Sequence, residues 1–222
     1  ADSWVSQVGG GTRGSCGARK GTRGEHHGVE GVSTLKPELV FDEDGIRLYC
    51  GDAREAPEMY TDAVIITDPP YGIAHPTNYK TRKRDKLAAC RDYPPVHGDD
   101  TPFDPQWLLV LNRPTVLWGA NHYASKLPDS GGWLVWDKKR PDTLDQATCE
   151  LAWTNFVRGV RRFTFLWNGC MRASREPLVH PTQKPPALTE WILKLRWCPP
   201  TVVVDPYAGS GSTLVAAKRL GR

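Results

Sequence analysis

Two short apolar runs, each closed by Asp-Pro, constrain this chain more than anything else in it. The first is Ala63-Val64-Ile65-Ile66-Thr67, followed by Asp68-Pro69-Pro70-Tyr71. The second is Thr201-Val202-Val203-Val204, followed by Asp205-Pro206-Tyr207-Ala208-Gly209-Ser210-Gly211-Ser212. The second run is apolar and β-branched without alternation, the pattern of a strand buried on both faces in a parallel sheet. In an open parallel sheet the ligand crevice lies outside the carboxyl ends of the strands, so both Asp-Pro turns are expected to face one cleft.

The rest of the pattern fits that frame. Leu39-Val40-Phe41 and Ile46 to Cys50 flank the turn Asp42-Glu43-Asp44-Gly45, and a short helix is expected from Glu55 to Tyr60. Helices are expected near 104–111 and 121–126, and strands near 115–118, 133–136, 150–153 and 163–167. Leu188, Trp191, Ile192 and Leu195 recur at i, i+3, i+4 and i+7, one buried face of a helix that starts after Pro185-Pro186 and stops by Pro199-Pro200. Alternating strands and helices of this length predict an α/β domain, doubly wound around a mostly parallel sheet.

Residues 1–35 are different: rich in Gly and Arg, with Thr12-Arg13-Gly14 recurring as Thr22-Arg23-Gly24 and almost no apolar periodicity. Such a segment buries too little surface to offset its ordering entropy and is expected to be a flexible arm, with the globular domain over 36–222. Four basic residues against three acidic ones in this arm favour a linker over a nucleic-acid tether.

Composition bounds the class. A chain of 222 residues with 39% hydrophobic and 24% charged residues is ordinary for one soluble domain. Nine tryptophans are many, and aromatic residues serve cores first. A net charge of +4 is too mild to name a polyanion partner by itself. Cys16, Cys50, Cys90, Cys149, Cys170 and Cys198 show no Cys-x-x-Cys pair, so no zinc site or other metal and no disulfide scaffold is expected. Cys50 and Cys149 lie in apolar runs and read as inert small hydrophobes. No stretch reaches the roughly 18 apolar residues of a membrane span. The expectation is a soluble cytoplasmic protein of a bacterial, archaeal or phage-infected cell, with no membrane partner.

The chemistry sits in the two turns. Consecutive prolines restrict the backbone, so the Asp68 carboxylate and the Pro69 carbonyl can be aimed as two acceptors with little entropy loss. Two acceptors suit one amino group. An exocyclic amino group of a nucleobase is a poor nucleophile because its lone pair is delocalised, and acceptors on both N–H bonds favour a pyramidal, more nucleophilic nitrogen. Tyr71 supplies a face for the base, which must leave the duplex to be reached. The loop Gly209-Ser210-Gly211 has neither phosphate-loop nor dinucleotide spacing, so a bound phosphate is not expected there.

These motifs, in this order, resemble the amino-directed DNA methyltransferases that use S-adenosylmethionine, in the permuted class whose catalytic motif precedes the cofactor motif. Asp68-Pro69-Pro70-Tyr71 is similar to the catalytic motif, Asp205 to Thr213 to the cofactor loop, and His180-Pro181-Thr182-Gln183-Lys184-Pro185 to the segment before that loop. The resemblance covers about residues 38–222 and implies a Rossmann-like methyltransferase fold. It implies a catalytic motif of Asp68, Pro69, Pro70 and Tyr71 in which Asp68 and Pro69 hold the target amino group and Tyr71 stacks on the base. Asp205, Pro206, Tyr207, Gly209, Ser210, Gly211 and Ser212 would wrap the cofactor's methionine end, with Thr182, Gln183 and Lys184 closing over it. Asp52 resembles the acidic contact to the cofactor adenine, although Gly51-Asp52 also reads as a surface turn. Asp at the first catalytic position favours adenine N6 by that resemblance, with cytosine N4, an RNA amino group, or a silent nucleic-acid-binding homologue as rivals.

Tyr207 and Ser212 stand where the family commonly has Phe and Thr, mild changes. The family's next strand, with an acidic residue for the cofactor ribose, would follow Gly221-Arg222, so its central place in the sheet is expected to be vacant. That leaves an incomplete chain or impaired cofactor binding.

The stretch at 72–103 is a long polar insertion directly after the catalytic motif, with six basic residues against one acidic between 80 and 91. Lys80, Arg82, Lys83, Arg84 and Lys86 are candidate phosphate contacts to DNA, with a solvated surface loop as the alternative. Lys138-Lys139-Arg140 and Arg158 to Arg162 are further basic candidates. Glu150, in an apolar run, is expected either to pair with an arginine or to serve catalysis. A homodimer stays open.

Overall fold

The computed structural model describes residues 3–7, 36–74, 96, 98–141, 143, 147–168, 171–173 and 183–222. In chain order the strands and α-helices are β1 (Ser3–Gln7), β2 (Glu38–Glu43), β3 (Ile46–Cys50), β4 (Ala63–Thr67), α1 (Gln106–Leu109), β5 (Thr115–Trp118), β6 (Gly132–Asp137), β7 (Cys149–Thr154), β8 (Val160–Thr164), β9 (Trp167–Asn168), β10 (Met171–Arg172), α2 (Pro186–Leu193), β11 (Val202–Asp205) and α3 (Ser212–Arg219). Nine of the strands form one sheet in the order β2-β3-β1-β11-β4-β5-β7-β6-β8, and β9 and β10 form a separate antiparallel pair. Five of the eight pairings in the large sheet are parallel, and β2 on β3 and β7 between β5 and β6 are antiparallel.

The centre of the sheet forms where the sequence is most uniformly apolar. Every residue of β4 is buried, and its side chains alternate between two layers. Val64 and Ile66 join Trp118, Leu134 and Trp136 beneath Leu188 and Ile192 of α2 and Ala217 of α3. Ala63 and Ile65 point the other way, to Tyr60, Leu108, Leu117, Tyr123 and Val204. Both faces are thus covered, as the doubly wound reading requires. Burial of each large aliphatic side chain contributes about 1.5–3 kcal/mol, so the strands that deliver the two Asp-Pro turns are also the best anchored.

Several local expectations are corrected. The helix expected from Glu55 to Tyr60 is two 3-10 turns, Ala53–Glu55 and Pro57–Tyr60, because Pro57 lacks the N–H that one continuous helix needs. The helix expected near 121–126 is likewise two 3-10 turns, Ala120–His122 and Ala124–Lys126, pinned by a 2.6 Å hydrogen bond from the Tyr123 hydroxyl to the Trp118 carbonyl. Helix α2 ends at Leu193, earlier than the prolines at 199–200 require. Cys149 is exposed at the start of β7 rather than buried as a small hydrophobe.

The expectation of an arm fails at its start. Ser3–Gln7 runs parallel between β3 and β11, with Trp4 opposite Arg47 and Val204 and Val5 opposite Leu48 and Asp205. This fills the central place expected to be vacant. A gap there would leave backbone N–H and C=O groups of two interior strands unpaired, which extended backbone from anywhere in the chain can relieve. Residues 8–35, the remainder of the expected arm, lie outside the described residues.

Candidate active site

Strands β4 and β11 are parallel neighbours, with Val202, Val203 and Val204 opposite Ala63, Val64 and Ile65, so both Asp-Pro turns leave the sheet at the same end. They are joined side chain to side chain. The Thr67 hydroxyl donates to Asp205 Oδ1 at 2.7 Å, and the Tyr207 backbone N–H donates to the same oxygen at 3.1 Å. Burial raises the Asp205 carboxyl to about 6, although the hydrogen bonds from Thr67, Thr213 and Tyr207 pull it down.

Around Asp68 the structure assembles charges drawn from four elements. The Lys184 ammonium, just before α2, lies 2.6 Å from Asp68 Oδ2, 3.3 Å from the Tyr71 hydroxyl and 2.9 Å from Glu150 Oε2 on β7. Lys138, just past β6, lies 2.6 Å from Glu150 Oε1. The Tyr71 hydroxyl donates to Asp68 Oδ1. Asp68, Lys184, Glu150 and Lys138 therefore form a row of alternating charge that sums to zero, the condition under which partly buried ions are tolerated. Trp118 adds an aromatic face 5.8 Å from the Lys184 ammonium.

Burial alone would lower Lys184 and raise Glu150, but their mutual charges and those of Asp68 and Lys138 win. Lys184 is held above the ordinary lysine range, and Glu150 is pulled down to about 2. The Tyr71 hydroxyl is pushed well above its ordinary value, first by burial and then by the Asp68 charge, so it stays a donor.

The Tyr71 ring is fixed from several sides. One carboxylate oxygen of the buried Asp99 accepts the backbone N–H groups of Tyr71, Gly72 and Ile73 at 3.0, 2.9 and 3.3 Å. The ring lies on the bare Cα of Gly119, where a Cβ would fall 2.0 Å from Tyr71 Cε1. His122 stacks on it, with centroids 4.8 Å apart and planes 13° from parallel.

On the other side of Asp205, the Pro206–Ser212 turn leads into α3. Gly209 and Gly211 hold left-handed backbone, at φ of 52° and 74°, and no side chain caps α3. The Tyr207 ring meets Phe103 and Trp107 edge-on, at 5.8 and 6.3 Å between centroids. At the end of β3 the Asp52 carboxylate accepts the Arg54 backbone N–H at 3.0 Å and pairs with its guanidinium, whose hydrogen bond holds it below the usual carboxylate range.

The turns thus bring Asp68, Tyr71, Asp205 and Tyr207 to one end of the sheet, and the segment before α2 adds Lys184. Gln183 is half-buried, with its carbonyl accepting the Trp167 indole N–H at 2.9 Å. Thr182 and the basic run Lys80, Arg82, Lys83, Arg84 and Lys86 lie outside the described residues. Arg158 to Arg162 are at the wrong end. Val160 pairs with Trp133, where β6 begins, whereas Lys138 follows the end of β6 at the site. Glu150 is ion-paired with two lysines, and its charge also acts on the Arg140 guanidinium, partly offsetting the lowering of Arg140 by burial. Asp99, Gly119 and His122 were not anticipated; the turn Gly98-Asp99-Asp100 gave the only signal, and it named no partner. Among the described residues no cluster of His, Cys, Asp and Glu could hold a metal ion, and no helix is long and apolar enough to cross a membrane.

Comparison with known proteins gives this geometry a relationship. A DNA methylase family model matches residues 134–222, from β6 through α3, including Glu150, Lys184 and the glycine-rich turn. Over that stretch the chain is similar to the DNA methylases. It is 38% identical over 65 residues to the type II methyltransferase M.ScaI of Streptomyces caespitosus, and 42% identical over 59 residues to the type II methyltransferase M2.DpnII of Streptococcus pneumoniae. These matches cover 28% and 26% of the chain and span only 21% and 22% of the relatives' own lengths. The solved structure of an M1.HpyAVI–SAM complex overlaps 78% of the chain and 88% of its own, with a TM-score of 0.42 and 23% identity.

Proposed function

We propose that this protein transfers a methyl group from S-adenosylmethionine to the exocyclic amino group of a base in DNA, with adenine N6 as the target. The observation that carries the reading is the junction of the two turns on adjacent parallel strands, tied by the 2.7 Å hydrogen bond from Thr67 to Asp205. It brings an amine-accepting carboxylate beside an open glycine-rich turn.

The residues present fit S-adenosylmethionine. A Cβ built on Gly209 would meet nothing closer than 3.9 Å, so the backbone of the turn has open ground before it. Asp205, Pro206, Tyr207, Gly209, Ser210, Gly211 and Ser212 would hold the methionine end, Thr182 and Gln183 would close over it, and Asp52 would reach the adenine after releasing Arg54. When bound, the cofactor supplies a methyl group activated by a positive sulfonium. Asp68 and the Pro69 carbonyl accept the two N–H bonds of the target, and Pro70 keeps the turn extended. Tyr71 is the aromatic ring assigned to stack on the base. Lys80, Arg82, Lys83, Arg84 and Lys86 grip phosphates beside the extruded nucleotide. Orientation and placed charge are sufficient for such a transfer.

The test is incorporation of labelled methyl from S-adenosylmethionine into unmethylated genomic DNA and, in parallel, into RNA, followed by nucleoside analysis. N6-methyladenine in DNA is expected. N4-methylcytosine or a methylated RNA base would reassign the substrate, and DNA binding without any cofactor binding would replace the enzyme with a binding module. Asp68→Ala is expected to lower transfer by at least about 100-fold while cofactor affinity changes little; unaltered turnover would sink the assigned role.

A further inference from the structure

The Asp68 carboxylate is already occupied. Its Oδ2 has the Lys184 ammonium at 2.6 Å and its Oδ1 has the Tyr71 hydroxyl, so a target amino group must compete for this acceptor with an amine of the chain itself. A charge-assisted hydrogen bond is roughly twice as strong as a neutral one, so a neutral base amine cannot displace an ammonium that has nowhere else to go.

Glu150 provides that place. Its Oε2 is buried at the atom level and has no donor in hydrogen-bond alignment, although the Lys184 nitrogen is only 2.9 Å away. The ammonium is bonded most closely to Asp68, at 2.6 Å, with the Tyr71 hydroxyl at 3.3 Å and this Glu150 oxygen next to it at 2.9 Å. Lys138 grips the other oxygen, Oε1, at 2.6 Å and holds Glu150 in position and ionised. The Asp68 side chain remains 24% exposed while Lys184 is 10% exposed, so a ligand from solvent meets Asp68 beside the ammonium, with Glu150 Oε2 buried behind it.

Resting on the methyltransferase reading, we infer that Lys184 is a tethered occupant of the amine site on Asp68, and that Glu150 is the carboxylate that takes over its ammonium when the target amino group enters. The exchange changes hydrogen-bond partners and leaves the charges of Asp68, Lys184, Glu150 and Lys138 in place, so no ion is stranded. Lys184 and Glu150 are then positioning residues whose effect falls on entry of the base. If only a fraction of molecules has Lys184 turned to Glu150, apparent affinity for the base is reduced by that fraction.

Initial rates of labelled methyl transfer to unmethylated genomic DNA at pH 8, over a range of DNA concentrations, would be compared for wild type, E150Q, K184M and the double variant. Cofactor affinity by calorimetry and melting temperature are controls. E150Q is expected to raise KM for DNA about tenfold, because Lys184 loses its alternative partner. K184M is expected to lower KM several-fold below wild type, because the competitor is gone, and the double variant is expected to follow K184M. K184Q, which keeps a neutral donor on Asp68, is expected to fall between and serves if K184M does not fold.

A KM for DNA that rises or stays put in both K184M and K184Q would overturn the exchange. So would loss of cofactor binding in those variants, which would return Lys184 to the cofactor's methionine end. An E150Q defect that persists undiminished in the double variant would make Glu150 a purely structural group and overturn its part. No transfer by wild type would overturn the methyltransferase reading itself and the exchange with it, an outcome separable from the others because it appears before any variant is compared.

Discussion

At the scale of single residues, Gly119 and Asp205 show how the surrounding fold sets the geometry and the charge of the site. Gly119 holds a left-handed backbone at φ 68°, and the Tyr71 ring fills the space where any other residue would place Cβ. Gly119→Ala costs roughly 1–2 kcal/mol in backbone strain. Its larger effect is on Tyr71, which must leave its seat between Gly119 and His122, and a displacement of about 1 Å at a reacting site costs near 100-fold in rate. Methyl-transfer rates beside a urea melt would separate the two effects; a rate loss no larger than the stability loss accounts for would show that the seat is unimportant. Asp205 controls a pH dependence. Its folded carboxyl is raised from 3.8 to about 6, so the native state binds the proton more tightly than the unfolded chain. The stabilisation is complete below pH about 3.8 and is lost as pH rises through about 6, a contribution of the order of 3 kcal/mol. Asp205→Asn keeps an acceptor for Thr67 and Tyr207 and removes the titration. The difference in unfolding free energy between wild type and this variant should therefore change by that order between pH 4 and 7, and a constant difference would refute it.

At the scale of elements, α2 links packing to the site. Leu188 and Ile192 are fully buried against the sheet, and Lys184 precedes the helix by one intervening residue, Pro185. Leu188→Ala should lower the urea midpoint by the equivalent of about 2–5 kcal/mol with an unchanged m-value; a cost below about 0.5 kcal/mol would mean that α2 is not the anchor its burial indicates. This helix was legible in sequence because its apolar residues repeat with helical period over two turns. The central strands were legible for the same kind of reason: β4 and β11 carry the apolar runs Ala63 to Ile66 and Val202 to Val204. Less was legible where structure depends on partners distant in sequence. Residues 121–126 carry no proline and read as a helix, but the left-handed Gly119 and the buried hydroxyl of Tyr123 make two 3-10 turns of them. The antiparallel setting of β7 is what brings Glu150 to the site end, and a six-residue strand pattern carries no direction. Lys184 and Asp68 are 116 residues apart, so their contact could be read only after the sheet order was known.

At the scale of the whole molecule, the sheet separates two kinds of basic surface. Arg158, Arg161 and Arg162 are exposed on or beside the edge strand β8, toward the end remote from Asp68, and Arg161 there stacks on Trp197 at 4.8 Å. Lys138 and Lys184 are at the site but committed to carboxylates. Neither set is free to grip phosphates beside an extruded base. Lys139 and Arg140 follow Lys138, and the larger basic run Lys80, Arg82, Lys83, Arg84 and Lys86 follows the Asp68 turn within the insertion at 72–103. Asp99 accepts three consecutive N–H groups beginning with that of Tyr71, so the two ends of the insertion meet beside the Tyr71 ring. Each phosphate contact contributes about 0.9 to the slope of log affinity against log salt. Replacing all five basic residues by Gln should therefore make that slope shallower by about 4.5 for duplex DNA. Phosphate contacts position a protein without specifying sequence, so the methylated sites should stay the same while affinity falls uniformly. Fluorescence anisotropy across a salt series gives the slope, and mapping of methylated sites gives the specificity. An unchanged slope would place the DNA backbone on another surface, whereas an altered site pattern would mean that the same residues read bases.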